Sequence, residues 1–388
     1  MRILMAAPLL PHPAATSGGA LVIYGEVEAL AGRHELTLIS FAGASPADRD
    51  GLQVLARLGV TVRPIWRARA AAPAVLRRRL TLGARWLVGR DPLRALKFRD
   101  HRVQATIDEE AGSRRFDLVH VEDNAMAQYR YPAGVPSVLT EQDARPPGSG
   151  AALEATRWRK YQTRMWGRFN RLQVYTERDA SLIRSMAPQL GDRVRVNPFG
   201  VTIGPPADPA AEREDEVLFL GGFQHQPNVD AALWLAREIL PWIRRTRSRA
   251  HLTIVGADPP RSVRALATDH VTVTGFVPDV DPFFAHAAVV VTPLRTGSGM
   301  RVKLLQAMAH GKAVVTTPLG AEGVSSGAPL RIVESAREIA AEVAALLGDA
   351  AARQELGRRA RAFVAEHHSW SAFADRLGGI YRELGLEA

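Results

Sequence analysis

Apolar positions along the first half of the chain alternate between two patterns. Short apolar runs, typical of strands buried on both faces, occur at 3–7, 35–41, 60–65, 117–122, 137–140, 172–176 and 194–198. Apolar residues at helical spacing lie between most of these runs. Because strands that alternate with helices form parallel sheets covered by helices, the first half predicts a doubly wound α/β domain.

The same pattern restarts after a segment rich in Gly and Pro at 200–209. Further apolar runs follow at 216–220, 251–255, 271–274, 288–291 and 313–316. With 388 residues, 46% of them apolar, the chain is long enough for two packed cores. We therefore expect one α/β domain at 1–200, a second at 201–369, and an amphipathic final helix at 370–388.

Composition and motifs exclude several classes of site. The chain has no cysteine, which excludes disulfides and thiolate metal sites and fits a reducing compartment. It also lacks an apolar run of membrane-spanning length, a Gly-x-Gly-x-x-Gly after the first strand, a Walker A sequence, a nucleophile elbow and a His-rich metal spacing. Asp279 and Asp281 precede a helical pattern and are expected to cap it. We expect no cofactor, no bound metal and a cytoplasmic location.

The stretch 289–324 combines a strand, a Gly-rich turn and a helix in the order typical of a ligand site. Ser298 or Gly299 is expected to cap this helix, and Arg301 and Lys303 follow directly. Backbone N–H groups, the helix dipole and two cations suit a phosphate or diphosphate. The alternative is a solvated first turn with ordinary surface cations. Two of the four lysines of the chain fall in this stretch, which favours the phosphate site.

The sequence QAMAHGKAVV at 306–315 resembles the nucleotide-sugar motif of the family-4 retaining glycosyltransferases, which share the two-domain GT-B fold. That family commonly has two Glu residues where this chain has Ser298 and Gln306. The second Glu binds the donor ribose, and Gln306 can still form hydrogen bonds there. The sequence GSGMRVK at 297–303 is similar to one branch of the family, in which the Arg and Lys hold the donor diphosphate. The resemblance implies two Rossmann-like domains that face each other across a cleft, with a final helix that crosses back to the first domain.

The resemblance also implies roles for individual residues. Many family members read Asp-x-Val-His-x-His where this chain keeps His120 but has Glu122. Arg301, Lys303 and Glu122 are expected to be catalytic, and Gly18, Gly19 and His120 to lie at the reaction centre. The alternative for His120 is a buried, hydrogen-bonded core residue, which is the more frequent role of a His at a strand end. The residues expected to bind the donor are Gly221, Gly222, Gly275, Phe276, Val277, Gly297, Ser298, Gly299, Met300 and Gln306.

Positive charge is concentrated in one segment. The net charge is +10, and residues 1–200 contain 30 Lys and Arg against 19 Asp and Glu. Between positions 57 and 99 there are 12 basic residues and a single acid, Asp91. A helical pattern with Leu and Trp runs through this segment, which favours an anionic membrane surface or an acidic acceptor over nucleic acid. The alternative is a solvated Arg-rich face.

The sequence thus predicts a retaining, metal-independent glycosyltransferase. It would move a sugar from a nucleotide-diphospho-sugar to a hydroxyl of a glycan, a lipid-linked or a secondary-metabolite acceptor, with possible peripheral contact to the inner face of the membrane and no nucleic-acid partner. Two alternatives stay open. One is a nucleotide-sugar epimerase of the same fold. The other is a non-catalytic partner subunit, because both motif acids are replaced.

Overall fold

The structure is a computed structural model that describes residues 1–15, 18–67, 72–142, 144, 152–297, 301–324 and 326–387, without the side chains of 72–79 and 209. The chain forms two compact units. The first consists of Met1–Gly200 together with Phe373–Ala388, and the second of Val201–Ala372. Each unit contains its own parallel sheet, so the predicted class of two doubly wound α/β domains is confirmed.

The sheet of the first unit has seven parallel strands in the order β3-β2-β1-β4-β5-β6-β7. Their bounds are β1 (Arg2–Ala7), β2 (Glu35–Ala42), β3 (Thr61–Trp66), β4 (Leu118–Glu122), β5 (Ser137–Glu141), β6 (Arg171–Val174) and β7 (Val194–Val196). The central strands β1 and β4 are buried along nearly their whole length, which explains their continuous apolar runs.

The helices of the first unit connect these strands. They are α1 (Gly18–Ala31), α2 (Pro46–Arg57), α3 (Ala72–Val88), α4 (Leu93–Lys97), α5 (His101–Ser113), α6 (Ala152–Trp166) and α7 (Glu177–Met186). Capping side chains fix where several of these helices begin. Ser45 accepts a hydrogen bond from the backbone N–H of Asp48 at the start of α2, and Thr176 does the same for Asp179 at the start of α7.

The strand order reverses between β1 and β4, which lie side by side although α1 to α5 and two strands separate them in sequence. In open parallel sheets such a reversal opens a crevice at the carboxyl ends of the two strands. The loop before Gly18 and the residues Glu122–Asn124 follow these two strand ends. They are therefore the positions of the first unit that are best placed to meet a ligand.

The second unit has a six-stranded parallel sheet in the order β10-β9-β8-β11-β12-β13. Its strands are β8 (Glu216–Leu220), β9 (His251–Val255), β10 (Val271–Gly275), β11 (Val289–Thr292), β12 (Ala313–Thr316) and β13 (Arg331–Ile332). The reversal of strand order falls between β8 and β11. The two-residue strand β13 was not predicted, because its two residues are exposed and carry no apolar pattern.

The remaining helices are α8 (Gln226–Trp234), α9 (Leu240–Thr246), α10 (Arg261–Arg264), α11 (Asp281–His286), α12 (Val302–Ala309), α13 (Ala336–Gly348), α14 (Ala350–His367) and α15 (Trp370–Arg382). From Phe373 onward the chain packs with the first unit, where Phe373, Leu377 and Tyr381 are fully buried. Within the described ranges, no helix combines the length and apolar character needed to cross a membrane.

Candidate functional site

The start of α12 lies at the carboxyl edge of the second sheet, beside the reversal of strand order. The helix begins at Val302 with Arg301 at the N-cap position, one turn later than the predicted cap at Ser298 or Gly299. Those two residues, like Met300, lie outside the described part of the chain. Arg301 and Lys303 therefore stand at the first turn of the helix, where the free backbone N–H groups and the positive dipole end are found.

The ammonium group of Lys303 has neutral neighbours and one cationic neighbour. Its Nζ donates a hydrogen bond to Asn228 Oδ1 and lies 5.2 Å from the ring centroid of Phe219. Burial, and then the positive charge of Arg301, lower the pKa of Lys303 to about 7. In the described part of the chain Lys303 pairs with no carboxylate. Two adjacent cations without a neutralising acid on Lys303 form a site suited to an anion.

Asn228 connects this cation to the glycine turn after β8. Its Nδ2 donates to the carbonyl oxygen of Gly222 at 2.7 Å, while its Oδ1 accepts from Lys303. A Cβ atom at Gly221 would lie 2.9 Å from Asn228 Cγ, so a larger residue there would displace the amide. The predicted Gly221–Gly222 turn and Lys303 thus belong to one arrangement.

Gly297 ends the described part of the turn before α12. Its φ of +107° lies in the region that favours glycine, and a Cβ there would come within 3.1 Å of Pro227 Cγ. Both facts require glycine at this position. They bring the backbone of the turn close to the amino end of α8, which also carries Asn228.

The other predicted donor-binding residues lie on the same sheet edge. Gln306 is partly buried and lies one turn after Lys303 on α12. Gly275 ends β10 with a φ of +76°, and it is followed by Phe276, which is 71% exposed, and by the partly buried Val277. The structure thus places Gly221, Gly222, Gly275–Val277 and Gly297 after the carboxyl ends of β8, β10 and β11, and Gln306 on the helix that follows β11.

In the first unit, His120 and Glu122 belong to a buried group that we name the carboxyl–imidazole cluster: Glu26, His120, Glu122 and Tyr381. His120 Nε2 lies 3.4 Å from Glu26 Oε1 and 3.2 Å from Glu122 Oε1. His120 Nδ1 lies 2.6 Å from the hydroxyl of Tyr381. All four side chains are fully buried. His120 is therefore buried and hydrogen-bonded, as the alternative for this residue predicted.

Neither Glu26 nor Tyr381 was identified from the sequence as a member of this cluster. Burial, and then the neighbouring charge of Glu122, raise the pKa of Glu26 well above its usual range. Neither of its oxygens accepts a hydrogen bond from another described group. Protonation of Glu26 removes the repulsion between the two carboxyl groups and allows Glu26 to donate a hydrogen bond to Glu122. Glu26 is one of two glutamates in a mostly apolar helix and belongs to no motif that could have identified it.

The end of β4 is held in an unusual backbone conformation. Gln142 Nε2 donates to Glu122 Oε2 at 2.9 Å. Asp123 has a φ of +72°, uncommon for a residue with a side chain, and is ion-paired with Arg94. Strain of this kind is kept only where the surroundings enforce it, and it is concentrated at functional sites. The observation supports a functional role for the strand end, but no side chain of the carboxyl–imidazole cluster reaches solvent.

Gly18 and Gly19 are the first two residues of α1. Among the described residues, no atom outside its chain neighbours lies within 4 Å of a Cβ atom placed at Gly18, so packing against them does not require a glycine there. Gly18 is exposed at the start of a 14-residue helix, where the free backbone N–H groups are found.

Comparison with known structures identifies the fold. A sucrose-phosphate synthase from Thermosynechococcus elongatus superimposes with a TM-score of 0.67 over 99% of both chains at 18% identity. The Anabaena protein HepE, solved in complex with UDP-glucose, gives a TM-score of 0.66 over 99% of both chains at 15% identity. A trehalose-6-phosphate synthase, studied for glycosyl transfer with retention, gives 0.63 over 98% of this chain and 99% of that one at 12% identity. The fold is that of the GT-B glycosyltransferases.

Residues 214–349 match the family model described as Glycosyl transferases group 1. This match covers the second unit from β8 to the end of α13 and includes Gly221, Lys303 and Gln306. No curated protein matches the chain with significant sequence similarity. The family match and the fold together support a glycosyltransferase.

Proposed function

We propose that the chain is a retaining glycosyltransferase that moves a sugar from a nucleotide-diphospho-sugar to an acceptor hydroxyl. The observation that carries the proposal is the pair of cations at the start of α12, one of which has its pKa lowered to about 7. The resemblance of the sequence around this helix to a donor-binding motif supports it. So do the structural neighbours that were solved with UDP and UDP-glucose.

The geometry suits departure of a nucleoside diphosphate. Negative charge builds on the leaving phosphate oxygen in the transition state, and the helix start, Arg301 and Lys303 would stabilise it there. In the retaining mechanism that we propose, the acceptor hydroxyl attacks from the face that the diphosphate leaves. It gives its proton to the leaving oxygen, so that the chain needs no nucleophile of its own. Two protein cations take the place of a metal ion, and the proposal is therefore metal-independent.

Gln306 and the segment Gly275–Val277 would hold the nucleoside part of the donor. The amide of Gln306 can both donate hydrogen bonds to ribose hydroxyls and accept hydrogen bonds from them, whereas the ionised Glu common in the family can only accept. In the first unit we propose that Glu122 and His120 act at the reaction centre as one unit with Glu26. Because Glu122 is fully buried and accepts a hydrogen bond from Gln142, it would act indirectly. It would hold the end of β4 in position and contribute its negative charge to the electrostatic surroundings there.

The test uses the purified full chain with a panel of UDP-, GDP- and TDP-sugars in a melting assay. A donor at 100 times its dissociation constant stabilises the folded state by about 2.7 kcal/mol. Donor binding by calorimetry and transfer to candidate acceptors are then measured in Arg301→Ala and Lys303→Met, with the exposed Arg358→Ala of the same unit as control. A charge-assisted contact contributes about 1.5–3 kcal/mol, so each site variant should lose roughly 10- to 150-fold in kcat/KM.

Near-normal kcat/KM in both site variants would place the diphosphate elsewhere. Activity that EDTA abolishes and Mg²⁺ or Mn²⁺ restores would refute the metal-independent mechanism but leave glycosyl transfer standing. The anomeric configuration of the product, read by NMR, decides between retention and inversion.

A further inference from the structure

Helix α3 presents an apolar face to solvent. Leu80, Ala84, Leu87 and Val88 occupy positions i, i+4, i+7 and i+8, which share one face of a helix. Leu80 is 66% exposed, Leu87 71% and Val88 91%, and Ala84 is also exposed. Single exposed apolar residues are ordinary, but several large ones on one helix face mark an interaction surface.

The opposite face of α3 is attached to the protein. Trp86 Nε1 donates to Glu154 Oε2 at 2.6 Å, and the guanidinium of Arg157 lies over the Trp86 ring, 4.6 Å from its centroid. The carbonyl oxygen of Trp86 also accepts a hydrogen bond from Arg157. These contacts to α6 fix the rotation of the helix about its axis. The outward direction of Leu80, Leu87 and Val88 is therefore a property of the folded unit.

Exposed cations accompany this apolar face in the sequence. Arg85 is exposed on α3, and the exposed Arg90 follows two residues after the helix ends. The segment 57–99 contains 12 basic residues and one acid. That acid, Asp91, is ion-paired with Arg99 and Arg164, which lower its pKa against the opposing effect of burial. A partner must therefore offer an apolar layer beneath a negatively charged one.

We propose that the outward face of α3 docks on a lipid bilayer that contains anionic phospholipids. Leu80, Leu87 and Val88 enter the acyl region, and Arg85 and Arg90 contact the lipid phosphates above it. A protein partner would need a hydrophobic groove with an acidic rim of matching shape. A bilayer with anionic headgroups offers both layers at every point of its surface. The inference is independent of the proposed glycosyl transfer, because it concerns the first unit and uses none of the donor-binding residues.

The test measures flotation of the full chain with vesicles of phosphatidylcholine alone and of phosphatidylcholine mixed with phosphatidylglycerol. The unaltered chain should float with the mixed vesicles and far less with the neutral ones. The triple variant Leu80→Ser, Leu87→Ser, Val88→Ser should lose roughly tenfold or more of its vesicle affinity. Ile332→Ser, a change of a 49% exposed apolar residue in the second unit, should lose none.

A second variant, Arg85→Glu with Arg90→Glu, separates the two contributions. It should abolish the preference for anionic vesicles, and raised salt should weaken binding of the unaltered chain. Vesicle binding that is unchanged in the triple variant would refute insertion of the apolar face. Equal binding to neutral and mixed vesicles would refute the role of the cations. Absence of binding to both would overturn the proposal and leave a protein as the partner of this face. Donor affinity by calorimetry should be the same in every variant, so either proposal can fail without the other.

Discussion

Donor binding should weaken as the pH rises above 7, because Lys303 must carry a proton to hold a diphosphate. In the ligand-free protein its pKa is about 7, lowered by burial and by the charge of Arg301. At pH 8 only about one tenth of the molecules then carry the charge. A bound diphosphate favours the charged form and raises the pKa again. Binding at pH 8 should therefore take up nearly one proton per site.

The size of the effect follows from the lowered pKa. A fall from 10.5 to about 7 corresponds to about 5 kcal/mol at most, and the partial exposure of the Lys303 side chain reduces this through solvent screening. If the pKa in the complex lies at about 10 or above, affinity falls about fivefold from pH 7 to pH 8 and about tenfold over the next unit. Below pH 6 the affinity should no longer depend on this group.

Calorimetry with a donor such as UDP-glucose between pH 6 and 9 measures this directly. Buffers with different ionisation enthalpies report the proton uptake at pH 8, and Lys303→Met is the control in which uptake and slope should disappear. Affinity that is constant from pH 7 to pH 9, or the same slope in Lys303→Met, would refute the reasoning.

The same pKa also predicts an effect on stability. Between pH 7 and 10.5 the folded protein binds fewer protons than the unfolded chain, so the free energy of unfolding should rise with pH over this range. The charged Lys303 destabilises the fold most below pH 7. Lys303→Met should therefore melt at a higher temperature than the unaltered chain at pH 7, and this difference should shrink towards pH 10.

Three further predictions concern buried groups and use melting or urea unfolding as the measurement. Glu26→Gln should stabilise the protein more at pH 8 than at pH 5, because the raised pKa of Glu26 costs the unaltered protein stability as the pH rises above the unfolded-state value; equal effects at the two pH values would contradict this. Tyr381→Phe, which removes a buried hydroxyl 2.6 Å from an imidazole nitrogen, should cost about 1–3 kcal/mol, and a change below 0.5 kcal/mol would mean that this bond contributes little. Arg353 and Arg358 on α14 each pair with a glutamate, but their side chains are 4% and 71% exposed. Arg353→Met should therefore lower the free energy of unfolding by about 3 kcal/mol, and Arg358→Met by less than about 0.5 kcal/mol. Equal losses in the two variants would contradict the role of burial.

The strands were largely predictable from the sequence. Twelve of the thirteen observed strands coincide with apolar runs, because parallel strands covered by helices on both faces must be apolar throughout. The run at 251–255 matches β9 at both ends, as does 313–316 for β12. The exception, β13, has two exposed residues and pairs only through its backbone.

The surroundings of the site residues were not predictable in the same way. Lys303 was identified from its position after a Gly-rich turn, but its contact with Asn228 joins residues 75 positions apart. Glu26 comes within 3.4 Å of His120 only because α1 packs beside β4. Motif spacing reports what is near in sequence, whereas a pKa depends on what the fold brings near in space.

Two lysines of the second unit show how differently the fold compensates a buried positive charge. Lys312 has a side chain that is 4% exposed, and its Nζ lies 3.2 Å from Glu212 Oε2, so its charge is neutralised within the protein. Lys303 has instead a neutral amide from Asn228 and a second cation, Arg301, beside it. Both of these cations lie at the amino end of a helix, where the dipole disfavours positive charge. The ion pair with Glu212 thus offsets part of the cost of burying Lys312, whose pKa burial lowers, whereas Lys303 has no carboxylate in the described part of the chain to offset its own. We expect the diphosphate of a sugar donor, which carries two negative charges, to supply that compensation.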